Sequence, residues 1–96
     1  MIGWLIMENI KIKSGFMLRE VAGQWVVVPL GEKVVEFNGI MTLTESGAML
    51  WKVMEQGTNI NSLIEILLQE YDIDSVTAAE DINEFIKELQ GKNLLV

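Results

Sequence analysis

The first half of the chain alternates between apolar and polar residues with the two-residue period of a half-buried strand. Residues 16–21 place Phe16 and Leu18 on one face and Met17 and Arg19 on the other, which predicts a strand. Residues 24–29 are almost continuously apolar and predict a second strand. Pro29 ends it, because proline has no amide hydrogen for the ladder.

Two further short strands are predicted after that. Residues 34–37 read VVEF and residues 40–43 read IMTL. Asn38-Gly39 lies between them, and both residues tolerate the positive φ of a tight hairpin turn. The first half therefore predicts an antiparallel meander of three or four strands.

The second half has the period of amphipathic helices. A first helix is predicted from residue 45 to residue 55, with Thr44 as its N-cap and Gly57 after its end. A second helix follows, capped by Thr58 or Asn59. A third begins after Asp74 or Ser75 and stops at Gly91. The apolar positions of the third helix are Ala78, Ala79, Ile82, Phe85, Ile86 and Leu89.

These elements predict an α+β domain with a small antiparallel sheet followed by three helices, in a winged-helix-like arrangement. The single domain is predicted over residues 14–96. Residues 1–13 are interpreted as an N-terminal extension, and two readings of its apolar start stay open. Trp4, Leu5 and Ile6 are loosely ordered, or they pack as an extra strand or against a partner. The final Leu94, Leu95 and Val96 are expected to dock on the sheet or the core.

Composition removes most catalytic chemistry. The chain has no cysteine and no histidine, so thiol catalysis and the commonest general base and metal ligand are missing. Its acidic residues fall on helix faces, as on a solvated surface. We therefore expect no enzyme activity, no catalytic residue, no metal and no cofactor. No segment is long and apolar enough to span a membrane, and a cytoplasmic location is expected.

Charge is unevenly distributed. The net charge is −7, and ten of the 14 acidic residues lie from Thr44 onward with only three of the seven basic residues. A phosphate backbone would be repelled by that half, so no nucleic-acid partner is expected. Trp25 and Trp51 lie in apolar patterns and are predicted to be in the core.

The stretch from residue 34 to residue 43 is apolar with one charge, Glu36. A strand edge that lacks charge and proline can accept an extended peptide as an additional strand. The sequence therefore favours a peptide-binding domain.

Four segments together resemble the PqqD-like family, named for pyrroloquinoline quinone biosynthesis protein D. They read GFMLREVAGQWVVVP, FNGIMTLTESGAMLWKVMEQG, LLQEYDID and AAEDINEFIKELQGKNLL. The resemblance implies a chaperone-like peptide recognition element that binds the leader region of a ribosomally made precursor peptide. It also implies a modifying enzyme as a second partner, such as a radical S-adenosylmethionine protein.

In the family the leader adds to the sheet edge and lies against the third helix. The resemblance implies that residues 34–37 form this edge, together with residues 41–43, and that the third helix forms the groove wall. Plain core packing is the alternative for at least half of the helix residues. The implied peptide-binding residues are Val34, Val35, Glu36, Phe37, Asp81, Ile82, Phe85, Ile86 and Leu89.

The Asn38-Gly39 hairpin is typical of the standalone PqqD-like branch, so we expect a pathway other than quinone synthesis. Gly47 and Ala48 are interpreted as a packing device and not as part of the site. The acidic helical half predicts a leader with basic residues. Two other functions stay open, namely a winged-helix transcription regulator and a self-associating domain that dimerises through its strand edge or by swapping.

Overall fold

The fold is an open antiparallel sheet followed by three helices, which confirms the predicted fold class. The computed structural model describes residues 9–34 and 39–96. The strands lie in the order β1-β2-β3. They are β1 Phe16–Val21, β2 Gln24–Pro29 and β3 Met41–Leu43. The helices are α1 Glu45–Met54, α2 Ile60–Glu70 and α3 Ser75–Gly91.

The first hairpin has a two-residue turn at Ala22 and Gly23, whose φ angles of 53° and 79° are both positive. That turn type matches the twist of the strands it joins. It fixes the register, in which Val21 pairs with Gln24. The predicted alternation follows, since Phe16 and Leu18 pack against the core.

The predicted strand at residues 34–37 is wrong at its first residue. Lys33 and Val34 have helical backbone, and the Val34 amide donates to the Gly31 carbonyl at 3.2 Å. Residues 35–38, which include Asn38 of the predicted turn, lie outside the described residues. The strand beside β2 is β3, in which Leu43 pairs with Trp25.

Each helix begins at a side-chain cap that satisfies an amide of its first turn. Thr44 Oγ1 accepts from the Gly47 amide at 3.0 Å and caps α1. Of the two caps left open for α2, Asn59 is the one used, with its Oδ1 2.8 Å from the Ser62 amide. Asp74 caps α3 by accepting from the Thr77 amide at 2.7 Å.

The end of α3 falls at Gly91, as predicted, but the residue that reverses the chain lies two positions later. The helix continues through Gly91, and the left-handed residue is Asn93, at φ 60°. The Leu94 amide then donates to the Leu89 carbonyl at 2.9 Å, which reverses the chain. Asparagine tolerates this conformation better than most residues, so it replaces glycine in this role.

The chain end and the segment before β1 close the core together. Ile12 bridges Leu95, and the Val96 amide donates to the Lys11 carbonyl at 2.9 Å. Leu94 is fully buried and Leu95 packs against the core, which confirms the predicted docking for these two residues, whereas Val96 is 78% exposed. Ile10 and Ile12 are also buried, although they fall in the predicted extension. Residues 1–8 lie outside the described residues, so the readings of Trp4, Leu5 and Ile6 stay predictions.

The two predicted core tryptophans differ. Trp51 is fully buried, and its Nε1 donates to Glu55 Oε2 at 3.2 Å. Trp25 is only half-buried, and it lies next to the turn of the first hairpin, where it pairs with Glu20. The Lys52 ammonium lies 4.4 Å from the centre of the Trp25 ring, within the range of a cation–π contact.

Candidate functional site

A groove lies between the start of α1, the end of α2 and one side of α3. Its volume is about 480 Å³, which lies within the usual range for ligand sites. Its lining residues are Thr44, Ser46, Gly47, Leu50, Leu67, Tyr71, Ile73, Asp81, Glu84, Phe85 and Glu88.

The floor and walls of the groove are apolar. Leu50 and Leu67 are buried core residues that form the floor. Tyr71, Ile73 and Phe85 are half-buried and pack against the core, so each still offers apolar surface to the groove. A groove of this kind can remove an apolar side chain of a ligand from water.

Gly47 allows three elements to meet at one end of the groove. A Cβ at this position would lie 3.6 Å from Leu43 Cβ and 3.7 Å from Phe85 Cε1. It would also lie 3.2 Å from the Oγ1 of Thr44, which caps α1. The small residue therefore brings α1 close to the end of β3 and to α3, which supports the predicted packing role. Gly47 also lines the groove, which the sequence analysis did not predict.

The rim of the groove along α3 is acidic. Asp81, Glu84 and Glu88 line it, and with Phe85 they recur at the three- and four-residue spacing of one helix face. Within residues 9–34 and 39–96, none of these three carboxylates has a hydrogen bond or an ion pair with another residue. All three are exposed, so they are accessible to a cationic group of a ligand.

The edge of the sheet lies next to this groove. Among the described residues β3 is hydrogen-bonded on one side only, to β2, and Thr44 continues directly from it into the groove. The backbone groups on the other side of β3 have no strand partner in that part of the chain. An extended peptide could pair with such an edge.

The predicted site residues fall into three groups. Val34 is exposed by 53% and is not in a strand, and Val35, Glu36 and Phe37 lie outside the described residues. Ile82, Ile86 and Leu89 are at most 2% exposed and belong to the core. Asp81 and Phe85 line the groove. Direct peptide contact by the nine residues stays a prediction.

Most groove residues were not predicted from the sequence. Glu84 and Glu88 could have been found, because they share a helix face with Asp81 and Phe85. Leu50, Tyr71 and Ile73 carry no such signal. Leu50 comes from α1, whereas Tyr71 and Ile73 come from the connection between α2 and α3, so they meet only when the helices pack.

The site offers little acid–base chemistry. Of the titratable groups, Asp74 has a pKa below its ordinary value of 3.8, mainly because the Thr77 amide donates to its carboxylate. It lies outside the groove lining and serves as a helix cap. In the part of the chain that is described, no group of acidic side chains is arranged to hold a metal ion. No helix there is long and apolar enough to cross a membrane.

The fold and the groove define a small α+β domain in which β3 has no second strand partner among the described residues and lies beside an apolar cleft. The family model for coenzyme PQQ synthesis protein D (PqqD) matches residues 24–95. Because this match covers most of the 96 residues, the chain belongs to the PqqD family. No curated protein matches the chain.

Two solved structures have a similar fold. One is TbiB1 in complex with the TbiA(beta) leader peptide, at 22% identity and a TM-score of 0.72, with 88% of this chain and 93% of that chain covered. The other is a lasso peptide synthetase B1 complexed with the leader peptide, at 14% identity and a TM-score of 0.72, with 91% and 96% covered. At these identities the comparisons show the shared fold.

Proposed function

We propose that this chain is a non-enzymatic peptide-binding domain that captures the leader region of a ribosomally made precursor peptide. One observation carries the proposal: in a PqqD-family fold, β3 is unpaired on one side within residues 9–34 and 39–96 and lies next to an apolar groove along α3. Two proteins of the same fold are described in complex with leader peptides, which supports this kind of ligand.

In this proposal the leader adds to β3 as a further antiparallel or parallel strand. Main-chain hydrogen bonds supply affinity, and side chains that point toward α3 enter the groove. Asp81 and Phe85 contact the peptide directly. Ile82, Ile86 and Leu89 do not contact the peptide but support the groove, because their packing in the core fixes the position of α3. Residues 34–37 remain candidate contacts of the same peptide.

The bound leader would then be presented to a modifying enzyme, of which a radical S-adenosylmethionine protein is one class. We place the chain in a peptide-modifying pathway other than quinone synthesis, in line with the Asn38-Gly39 sequence. A DNA-reading role is disfavoured. The groove side of α3 carries Asp81, Glu84 and Glu88, and a phosphate backbone would be repelled by them.

The test is a titration of isotope-labelled protein with synthetic peptides that span the short precursor-like open reading frames beside its gene. NMR shift changes are expected at β3 and at Phe85, while the β1 edge serves as an internal control. Each bound peptide is then N-methylated at one position at a time. Strand addition predicts loss of affinity at every second position, because alternate amides donate to the edge.

Two results would contradict the proposal. One is that no peptide produces shifts at β3 or in the groove. The other is binding with no two-residue periodicity in the N-methyl series. Shift changes that depend on protein concentration alone would instead indicate that β3 pairs with a second copy of the chain.

A further inference from the structure

We infer that the groove selects a leader segment in which Lys or Arg residues flank an apolar side chain. This inference rests on the proposed function and concerns the chemistry of its ligand. It combines two features of the groove that the sequence places on different segments. These are an apolar cavity and an acidic rim along one side of it.

The apolar part determines the central residue of the ligand. Leu50 and Leu67 form the floor, and the half-buried Tyr71, Ile73 and Phe85 form the walls. A leucine-sized or aromatic side chain gains free energy by leaving water there. A charged side chain would lose its hydration without a partner on the floor.

The rim determines the charge of the flanking residues. The groove lining contains three carboxylates, Asp81, Glu84 and Glu88, and no lysine or arginine. None of the three is paired with another described residue. Cationic side chains of a ligand would neutralise them, whereas an acidic leader would be repelled.

The spacing of the rim determines where the cations lie. Glu84 and Glu88 are four residues apart, which is about 6 Å along a helix axis at 1.5 Å per residue. In an extended peptide, residues two apart lie on the same face and are separated by about 6.8 Å. The two alternate positions on either side of one apolar residue are therefore about 13.6 Å apart. The whole rim from Asp81 to Glu88 spans seven helix residues, or about 10.5 Å, so flexible Lys or Arg side chains at those two positions can reach both of its ends.

The experiment uses short blocked peptides with a central leucine in a threonine- and valine-rich background. The two positions that lie two residues from the leucine are both lysine, both glutamine or both glutamate. Affinity for the wild-type protein is measured at low and at high salt. We expect the lysine form to bind roughly tenfold more tightly than the glutamate form at low salt, since exposed ion pairs each contribute little. Salt should reduce this ratio.

The variant Glu84→Gln with Glu88→Gln should bring the ratio down to about twofold, because only Asp81 remains on the rim. Its matched control is Glu65→Gln with Glu80→Gln. This control removes the same charge from exposed positions outside the groove, so the ratio should stay near its wild-type value. A ratio that falls equally in both variants would show a long-range effect of net charge and would overturn the inference.

The two proposals fail in different ways. If precursor segments bind at β3 and the groove but the three designed forms bind equally, the charge selection is wrong and strand addition stands. The same holds if the glutamate form binds most tightly. If neither the precursor segments nor any designed form shifts β3 or the groove, both proposals are wrong.

Discussion

The helix α3 has two long faces with different tasks. On one face Ile82, Ile86 and Leu89 are buried in the core. On the neighbouring face Phe85 is half-buried and Glu84 is exposed, and both line the groove. At 100° per residue, Phe85 is displaced by only roughly 60° from Ile82 around the helix. A small rotation around one helix therefore separates residues that hold the fold from residues that are available to a ligand.

This comparison shows that an apolar stripe can be wider than its own core requires. The part of the stripe that no described element covers is an incomplete packing surface. In this protein it lies next to a strand edge, so one extended peptide could complete both the sheet and the packing. The two faces should then respond differently to substitution, since one supports stability and the other supports binding.

Ile82→Ala is expected to have the largest effect on stability. Ile82 is fully buried, and truncation of a large apolar core residue costs about 2–5 kcal/mol. Urea unfolding measures the loss in free energy of unfolding. The exposed Glu80→Ala on the same helix is the control and should change stability by less than about 0.5 kcal/mol. If Ile82→Ala changed the free energy of unfolding only slightly, the proposed division of α3 into a stabilising face and a binding face would be wrong.

Phe85→Ala should weaken peptide affinity more than it lowers the stability of the fold, in contrast to Ile82→Ala. Phe85 is partly covered by the core, so its truncation should destabilise the protein less than Ile82→Ala does. Affinity for a bound precursor peptide should fall by more than about tenfold, as expected for an aromatic residue in an apolar groove. Calorimetric titration and urea unfolding are compared on the same sample. Unchanged affinity in a folded variant would remove Phe85 from the site.

A pair of helix-cap variants distinguishes an effect on the groove from a general loss of helix stability. Thr44→Ala and Asn59→Ala each remove one N-cap, which costs about 1 kcal/mol of stability. Only Thr44 lines the groove and follows β3 directly. Similar losses in stability are therefore expected, together with a loss of peptide affinity for Thr44→Ala alone. Equal losses of affinity would show that binding follows overall stability and not the groove.

The smallest expected effect is a change in the stability of the fold at low pH. The pKa of Asp74 is lowered in the folded protein, first by the hydrogen bond from the Thr77 amide. The folded state therefore favours the carboxylate. This contribution to stability is present above the ordinary pKa of 3.8 and is lost as the pH falls through the lowered value.

Asp74→Asn keeps a good capping residue that does not titrate. The difference in urea midpoint between wild type and Asp74→Asn should therefore narrow or invert between pH 7 and pH 3. The two proteins differ at this one residue, so the comparison isolates the cap. A constant difference across that range would show that the cap does not sense pH.

Several features of this protein follow from the sequence by itself. The caps Thr44, Asn59 and Asp74 were each among the residues proposed from capping chemistry, because a cap depends on an amide only three residues away. The apolar stripe of α3 and the first hairpin followed from local periodicity in the same way. The acidic character of the helical half is a property of composition.

The tertiary structure decided the rest. Periodicity places Ile82 and Phe85 on one stripe, but only the packing of α1 and α2 covers one and leaves the other half open. The groove also needs Leu50, Tyr71 and Ile73, which come from distant segments. Ile10 and Ile12 joined the core because Ile10 pairs with Thr58 and Ile12 pairs with Leu95 near the chain end. Local interactions specify where an element begins and which way it faces, whereas long-range packing decides which face remains open for a ligand.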